Sequence, residues 1–424
     1  MPLKIFLFED PQFQNFYPLT YNRPVYELLL GTAKLREKIS WYFPKAEIRL
    51  LCRDYLEDYL REKTGLKVND INVGAKDQIL LLNGRVVPDG SLAKAFKLTE
   101  EKAYWQETNL VALTVKNHIM LEILVNLFKA HVFNPGQQSS LEYVRSEFPE
   151  TRVEVKLLNY IWDFVLYNDA EILADYKKRK TAFSKKKSKV DRRAALVNPK
   201  QIYLGKKVTV EPQVVLNAKG GPIIIDDNCS IQAFTRIEGP AYIGKNTILY
   251  GAKISAGCSI GPECRVGGEI QNSIILGYSN KYHDGFLGHS YLGEWVNLGA
   301  GTTTSDLKNN YSTIRVEFPG GNFDTGLKKV GSLLGDHVKT GIGTLLNTGA
   351  VLGLGSNIFG GGMPGIKFVP PFLWGDDSRL AEYNWDKFIA NARTVMERRN
   401  LTLSDAERHA LHKVFELTKS ERIF

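Results

Sequence analysis

The sequence has little cysteine and little histidine. Its 424 residues include only four cysteines, Cys52, Cys229, Cys258 and Cys264, and seven histidines. No two cysteines form a C-x-x-C pair and no histidines cluster beside them, so the pattern favours neither a zinc site nor a disulfide framework. We therefore expect reduced thiols and a cytoplasmic protein.

Long hydrophobic runs are missing as well. The apolar run near the N-terminus is short, ends at Glu9 and Asp10, and lacks a cleavage site of the signal-peptide kind. No stretch approaches the roughly 18 apolar residues that span a membrane. We predict neither a signal peptide nor a membrane span.

Acidic and basic residues balance over most of the chain, although the formal net charge is +9. Ten Lys or Arg and one Asp lie between Lys177 and Arg193, and the rest of the chain carries 45 bases and 45 acids. A solvated basic linker, placed at 176–200, is favoured over a tether for nucleic acid or anionic surfaces. We do not expect a nucleic-acid partner.

Glycine is scarce outside one region, because thirty of the 37 glycines lie between Gly205 and Gly365. There an aliphatic residue recurs at every sixth position and is often followed by glycine, as in Ile243-Gly244, Leu292-Gly293 and Leu334-Gly335. A period of six fits neither a helix nor a half-buried strand. It fits triangular coils with inward aliphatic side chains and glycines at tight corners. A glycine-rich β-sandwich is the alternative.

This repeat resembles the left-handed parallel β-helix of the hexapeptide-repeat acyltransferases, and it places that domain at 201–366. The period breaks near 305–329, where Arg315–Asn322 predicts a β-hairpin that leaves the coil. The remaining segment, 367–424, is predicted to be extended and then helical at Tyr383–Arg399 and Ser404–Thr418, with Ser404 as the N-cap.

The first 175 residues follow a different pattern. Apolar runs at Leu3–Phe8, Glu47–Leu51 and Gln78–Asn83 alternate with helical spacing at Tyr26–Lys38 and Tyr55–Lys63. Such alternation predicts a three-layer, Rossmann-like α/β domain at 1–175 with a mostly parallel sheet, whose ligands bind at the carboxyl ends of the strands. The expected fold class is α/β plus all-β, with a short helical C-terminal tail.

Two of the seven histidines stand six residues apart in the segment Ser279–Thr302. Acetyl transfer from a thioester to an amine needs a base that takes the amine proton, and histidine suits this task near neutral pH. His283 and His289 are both candidates. The non-catalytic alternative is that both are surface residues of a structural coil.

This segment is similar to the acetyltransferase half of the bifunctional N-acetylglucosamine-1-phosphate uridylyltransferase/glucosamine-1-phosphate acetyltransferases. Their motif runs H-x-x-Y-x-G-D and, after three residues, G-x-x-x-N-x-G-A-G-T. An ungapped register through Gly293 and Gly299–Thr302 implies His283 as the base, whereas His289 requires a gap. The resemblance further implies an acetyl-CoA donor bound between subunits of a homotrimer. It assigns acceptor binding to Lys253, Glu269, Phe286, Asn297, Asp306 and Lys308, and acetyl-CoA binding to Ala300 and Gly341.

The first half resembles the sugar-1-phosphate nucleotidyltransferase domain of the same family. Pro18-Leu19-Thr20 stands unchanged and Arg23-Pro24 replaces Lys-Pro, but the loop after the first strand contains no glycine. Asn83-Gly84-Arg85 puts an arginine where the family has a Mg²⁺-binding aspartate. The resemblance implies Mg²⁺ on Asn168, and nucleotide or sugar-phosphate binding by Thr20, Arg23, Asn83, Arg85, Asp163 and Asn168.

Together these features predict an enzyme of sugar-nucleotide biosynthesis. Its second half would acetylate an amino sugar phosphate from acetyl-CoA, and its first half would convert a sugar 1-phosphate and an NTP into an NDP-sugar and pyrophosphate, with UDP-N-acetylglucosamine as the expected product. Three other functions stay open. The β-helix could serve only to form a trimer for a nucleotidyltransferase, or the first half could be a non-catalytic nucleotide sensor for an acetyltransferase. The whole chain could also be a non-catalytic assembly scaffold.

Overall fold

The computed structural model describes residues 2–116, 118–133, 139–181, 183, 188–361, 367–376 and 378–422. An N-terminal α/β domain is followed by a parallel β-helix of about ten turns and a helical tail. Among the described residues, none of the helices combines the length and apolar character needed to cross a membrane.

The N-terminal domain is built on a six-stranded sheet in the order β4-β1-β5-β8-β7-β9. β8 pairs antiparallel with both of its neighbours, and the other pairs are parallel, so the prediction of a mostly parallel sheet is confirmed. The ten strands of the domain, in chain order β1 to β10, are Leu3–Phe8, Leu29–Leu30, Ala33–Lys34, Glu47–Leu50, Gln78–Asn83, Val86–Val87, Lys102–Gln106, Asn109–Val115, Glu150–Arg152 and Lys156–Leu157.

Helices cover both faces of this sheet. Successive side chains of its central strands point to opposite faces, and those on both faces are apolar and need to be buried. One face packs on α1, α2 and α6, and the other on α4 and α5. The helices α1 to α8 are Leu35–Tyr42, Glu57–Thr64, Leu92–Ala95, His118–Phe133, Ser139–Glu147, Ile161–Arg179, Trp385–Glu397 and Asp405–Leu417. Short 3₁₀ turns lie at Pro11–Phe16, Val25–Glu27, Asp54–Leu56, Pro199–Gln201 and Lys419–Arg422.

The helix predicted at Tyr26–Lys38 is wrong over most of its length. Gly31 adopts φ +67 between β2 and β3, which pair antiparallel, and the helix begins only at Leu35. A left-handed residue inside the apolar run turns the chain back on itself, and helical spacing alone does not reveal such a turn.

The β-helix has three faces, as the six-residue repeat predicts. Face 1 contains Lys189–Val190, Thr209–Val210, Ser230–Ile231, Asn280–Lys281, Asn297–Leu298, Lys339–Thr340, Asn357–Ile358 and Leu373–Gly375. Face 2 contains Ala195–Val197, Val215–Asn217, Arg236–Glu238, Phe286–Gly288, Thr303–Thr304 and Leu345–Leu346. The strands Ile248–Ile254 and Arg265–Gln271 bend from face 1 onto face 2. Face 3 contains Ile202–Leu204, Ile223–Ile225, Ala241–Ile243, Cys258–Ile260, Ile274–Gly277, Tyr291–Glu294, Leu333–Leu334, Val351–Leu352 and Phe368–Val369.

The aliphatic residues of the repeat form the interior of the coil. Ile243, Ile260, Ile275, Leu292 and Leu334 stack in register on face 3 and are fully buried. A second set of face 3 side chains points outward and joins the core of the N-terminal domain, because α6 lies between its sheet and face 3. The two halves therefore share one hydrophobic core.

The domain limits differ from the predicted ones. α6 continues to Arg179, and Lys189–Val190 already pairs with the next coil, so most of the described residues of 176–200 belong to α6 or to the coils. Phe368–Val369 and Leu373–Gly375, predicted as an extended tail, form the last coil. The sequence did not locate these two domain limits, because neither segment carries the glycine-marked repeat.

The predicted hairpin is confirmed, with Arg315–Phe318 paired antiparallel to Gly321–Asp324. It belongs to an insertion that leaves the coil at the edge between faces 2 and 3. Both predicted tail helices are present as α7 and α8, and the Oγ of Ser404 accepts from the Glu407 N–H at 3.1 Å as the expected N-cap. These helices pack on the edge between faces 3 and 1 through Phe372 and Phe388.

Candidate functional site

Face 2 brings together several of the residues predicted to bind an acceptor. Lys253, Glu269 and Phe286 are register partners on three successive coils, which places them side by side on the outer surface. Lys253 and Glu269 are exposed, and Phe286 is half-buried. A base, an acid and an aromatic ring thus form one row that a phosphorylated sugar could contact.

A histidine–aspartate pair lies at one end of this row, on the edge between faces 2 and 3. His289 Nδ1 is 2.6 Å from Asp306 Oδ2, and the two side chains are only 17% and 11% exposed. An ionised carboxylate can only accept a hydrogen bond, so it favours the histidine tautomer with a proton on Nδ1. In that tautomer Nε2 carries no proton and can accept one. The pair has the base-and-orienter arrangement used in proton abstraction.

Backbone contacts hold this pair in place. The His289 N–H donates to Gln271 O and its carbonyl accepts from Gly331 N–H, both at 2.9 Å. Asp306 is the first buried residue of the insertion, and its carbonyl accepts from Val330 N–H at 3.0 Å where the chain rejoins the coil. The insertion therefore closes against the coil at the histidine.

A glycine makes room for the carboxylate. A Cβ on Gly288 would lie 2.4 Å from Asp306 Oδ2 and 2.4 Å from Phe286 Cζ. Such distances are far below van der Waals contact, so only glycine allows Asp306 and the Phe286 ring to pack here. The predicted acceptor residues Phe286 and Asp306 are therefore neighbours of the candidate base His289.

His283 lies at the opposite side of face 2, on the edge between faces 1 and 2. Its side chain is exposed, and its ring meets Tyr282 edge-on with centroids 4.8 Å apart. Beneath it, the buried Lys281 ammonium donates to the His283 carbonyl, and burial lowers the pKa of Lys281 to about 8. The described residues offer the His283 ring no carboxylate partner.

The remaining predicted acyl-transfer residues lie apart from the row. Asn297 is exposed on face 1, where its Oδ1 accepts from Asn280 Nδ2 at 3.2 Å. Ala300 and Gly341 lie on the edge between faces 1 and 2, with the Ala300 carbonyl bound by Gly343 N–H at 2.8 Å. Lys308 donates to Thr313 O at 2.7 Å and so belongs to the insertion.

The N-terminal domain has a second polar cluster at the carboxyl ends of β1 and β5. Arg85 is 2% exposed, and its guanidinium contacts both carboxylate oxygens of Asp10 at 2.6 to 3.0 Å. Asn83 donates to the same carboxylate at 2.7 Å and accepts from Arg85 N–H at 3.0 Å. The predicted residues Asn83 and Arg85 do meet, and Asp10, which sequence reasoning missed, neutralises the arginine.

A second buried acid–base pair lies beside this cluster. Arg53 contacts both carboxylate oxygens of Glu9 at 3.1 and 3.2 Å, and burial raises the pKa of Glu9 despite the opposing effect of Arg53. Two small cavities, each of about 20 Å³, flank Phe8 at this strand end. The second is bordered by Asp10 and Asn109. Parallel α/β domains bind ligands at this edge, and both pairs border it.

Thr20 and Arg23 have structural roles rather than the predicted phosphate-binding ones. The Thr20 hydroxyl is fully buried and donates to Phe13 O at 2.8 Å. Arg23 is 2% exposed and forms a two-point ion pair with Asp336 of the β-helix, with Glu294 3.4 Å away. Because its guanidinium is engaged between the two halves, Arg23 does not face the strand-end cluster.

Asp163 and Asn168 also differ from prediction. Asp163 caps α6 by accepting from the N–H groups of Asn159 and Tyr160 at 2.7 and 3.0 Å. Asn168 is fully buried against face 3: it accepts from Gly31 N–H at 2.7 Å and donates to Gly257 O at 2.9 Å. Both ends of the Asn168 amide are used by the protein, which leaves no oxygen for a metal.

The residues present do not fit a Mg²⁺ ion at the N-terminal site. Magnesium requires several oxygen ligands, but the Asp10 carboxylate is taken up by Arg85 and the Asn168 amide by the domain interface. The part of the chain that the structure describes contains no group of three His, Cys, Asp or Glu placed to hold a metal.

Known proteins resemble this chain over part of its length. Residues 5–182 match the family profile of sugar nucleotidyl transferases. The bifunctional sugar-1-phosphate nucleotidylyltransferase/acetyltransferase of Sulfurisphaera tokodaii is 31% identical over 153 residues, which is 33% of this chain and 36% of that protein. The bifunctional protein GlmU of Synechococcus elongatus is 29% identical over 170 residues, 36% of this chain and 33% of that protein.

The matches to these curated relatives span about a third of the relatives' own length. Among solved structures, the UDP-N-acetylglucosamine acyltransferase of Francisella novicida is 13% identical over 55% of this chain and 76% of that chain. The TM-score between the two chains is 0.24. Residues 5–182 thus match the model of the sugar nucleotidyl transferase family, and the chain is similar to bifunctional proteins of the GlmU kind.

Proposed function

We propose that this chain is a bifunctional transferase of sugar-nucleotide biosynthesis, in which face 2 of the β-helix acetylates an amino sugar phosphate. The observation that carries the proposal is the His289–Asp306 pair at 2.6 Å beside Phe286. The exposed Lys253 and Glu269 would contact the phosphate and a hydroxyl or ammonium group of the acceptor. We place the base at His289 rather than at His283, because only His289 is oriented by a carboxylate.

In the proposed reaction the acceptor amine attacks the thioester carbonyl carbon of acetyl-CoA. The new C–N bond forms as the C–S bond breaks, His289 Nε2 takes the proton released by the amine, and the CoA thiolate leaves and is protonated. Asp306 stabilises the imidazolium that forms and holds its ring in one orientation. General-base assistance of this kind contributes about 10²- to 10⁴-fold in rate.

The acetyl-CoA donor would lie along the edge between faces 1 and 2, where Ala300 and Gly341 lie, and its thioester end would reach across face 2 to the acceptor amine beside His289. This edge also exposes a row of apolar side chains, with Phe234 72%, Tyr282 43% and Ile342 78% exposed. Neighbouring subunits of a homotrimer would cover this row and complete the donor site. Light scattering at three times the 47.7 kDa chain mass would support the trimer, and a monomer mass would contradict it.

The N-terminal domain is proposed to join a sugar 1-phosphate to an NTP, expected to be UTP, with release of pyrophosphate. The support is the family match over residues 5–182 and the position of Asn83 and Arg85 at the carboxyl ends of the strands. Arg85 could bind phosphate only by exchanging its bond to Asp10. We derive no metal-dependent step, because the residues do not fit Mg²⁺.

The Asp10–Arg85 pair also favours a second candidate function for this domain, the sensing of a nucleotide without turnover. In that case a bound phosphate would separate Arg85 from Asp10 but no pyrophosphate would form.

The buried, unpaired cysteines Cys52, Cys229, Cys258 and Cys264 support the further proposal that the protein is cytoplasmic.

The experiment for the second half measures CoA release from acetyl-CoA with glucosamine 1-phosphate. We expect His289→Ala to lower kcat by at least about 10²-fold and the matched variant His283→Ala to lower it far less. If His283→Ala abolishes release and His289→Ala does not, the base is misassigned. If wild-type protein releases no CoA with any amino sugar phosphate, acetyl transfer is refuted.

The first half requires a separate assay, the release of pyrophosphate across a panel of NTPs and sugar 1-phosphates with added Mg²⁺. Turnover with UTP and N-acetylglucosamine 1-phosphate is the expected result. Nucleotide binding without pyrophosphate release across the panel would identify a sensor and overturn the nucleotidyltransferase proposal.

A further inference from the structure

A groove separates face 1 of the last coils from α7, and its lining contains none of the residues assigned above to acyl transfer or nucleotidyl transfer. We call it the tail groove. It has a volume of about 530 Å³, is open to solvent, and is lined by Asn357 and Trp374 on face 1, by Glu382, and by Lys387 and Asn391 on α7. Binding sites for small molecules have volumes of roughly 300–1,000 Å³, so the tail groove is large enough for a nucleotide.

The groove contains a flat aromatic platform. Trp374 is 46% exposed although it stands in a strand of the last coil. Phe359 supports the indole from one side, with ring centroids 4.5 Å apart and planes inclined by 58°. A partly exposed but well-supported indole is suited to stacking against a planar ring, because its position is already fixed before the ligand arrives.

The charges around the platform favour an anion. The one acidic side chain of the lining, Glu382, is bound by Arg422 at 2.9 Å. Lys387 lies in the first turn of α7 and no carboxylate contacts it among the described residues. Lys339 is the register neighbour of Asn357, so it lies on the outer surface of face 1 beside the lining, and no carboxylate in the described part of the chain contacts it.

We propose that the tail groove binds a nucleotide, with the base stacked on Trp374 and the phosphates on Lys387 and Lys339. The amides of Asn357 and Asn391 would contact the sugar or the polar edge of the base. Two kinds of molecule carry this chemistry, the nucleotide half of an acyl-CoA donor and a free uridine nucleotide. The proposal goes beyond the acetyl-transfer site on face 2 and does not depend on its chemistry.

Calorimetric titration of the full chain with ADP, adenosine 3′,5′-bisphosphate and UDP tests the proposal. We expect saturable binding of at least one, weakened about tenfold or more by Trp374→Ala and by Lys387→Met. Lys245→Met is the matched control, because Lys245 is an exposed lysine on a distant coil, and it should leave the affinity unchanged. A preference for adenosine 3′,5′-bisphosphate would identify the acyl donor as the source, and a preference for UDP would identify a free nucleotide.

Three results would overturn the inference. These are no saturable binding of any of the three nucleotides, equal binding by wild type and Trp374→Ala, or an equal loss in Lys245→Met. Thermal melting of each variant would show that folding is intact, and Lys339→Met provides an independent test of the phosphate contact. Because the titration requires no turnover, its failure is distinguishable from failure of acetyl transfer, which CoA release reports.

Discussion

Replacing Arg23 with methionine separates two roles for this side chain, the phosphate contact implied by family resemblance and the ion pair seen in the structure. Methionine keeps much of the apolar stem and removes the guanidinium. The change leaves the carboxylates of Asp336 and Glu294 buried, at 2% and 4% side-chain exposure, with Lys63 as their remaining cation. The structure therefore predicts a loss of stability and not merely a loss of binding.

The size of the loss follows from the geometry. Arg23 contacts Asp336 through both terminal nitrogens, and Asn22 donates to the same carboxylate at 2.8 Å. Breaking one side of a buried, hydrogen-bonded ion pair costs about 3–5 kcal/mol, because an uncompensated charge is left behind. For a domain of 150–250 residues this corresponds to a fall in Tm of roughly 6–20 °C.

Differential scanning calorimetry measures this effect. Arg61→Met is the matched control, because Arg61 is 50% exposed on α2 and its loss should change Tm by no more than about 2 °C. The double variant Arg23→Met/Asp336→Asn should regain part of the lost stability, since both members of the pair become neutral. An unchanged Tm in Arg23→Met, together with loss of pyrophosphate release, would refute the structural role and restore the phosphate contact.

Two further predictions concern the catalytic pair and the tail. Asp306→Asn should lower kcat/KM for CoA release by about 10- to 100-fold, because the charge-assisted bond to His289 is lost, and activity equal to wild type would show that Asp306 does not orient the base. Burial raises the pKa of Glu407 from 4.5 to about 7. The protonated carboxyl group therefore contributes to the stability of the folded state below pH 4.5, and this contribution is lost as the pH rises through about 7. Glu407→Gln should therefore melt like wild type near pH 4.5 but at a higher Tm at pH 8, by of order 1 kcal/mol in stability. A difference in Tm that does not vary with pH would contradict this.

The repeating part of the fold was predictable because its physical cause is local. Each coil needs an inward aliphatic residue and a tight corner, and both leave a mark every six residues, as at Leu292-Gly293 and Leu334-Gly335. The hairpin at Arg315–Phe318 was predictable for the same reason, since it interrupts that period. The turn at Gly31 was not, because an apolar run with helical spacing hides a reversal that distant residues such as Asn168 and Asp175 stabilise.

The roles of Arg23 and Asn168 could not be predicted from the sequence. Each is decided by a partner far along the chain, Asp336 for Arg23 and Gly257 for Asn168, and sequence spacing carries no information on such contacts. The His289–Asp306 pair did leave a signal. Register partners on successive coils, such as Glu269 and Phe286, stand 17 residues apart, and His289 and Asp306 have the same offset.

The core shared by the two halves has a consequence for the history of the gene. α6 buries apolar side chains against the sheet on one side and against face 3 on the other, so separating the halves would expose apolar side chains on both. A truncation near residue 185 would expose the outward side chains of face 3, and two separately expressed fragments would be prone to aggregate. Because the two halves lie in one chain, they are made and degraded in equal amounts. One half could lose its catalytic activity during evolution, but its deletion would destabilise the other half.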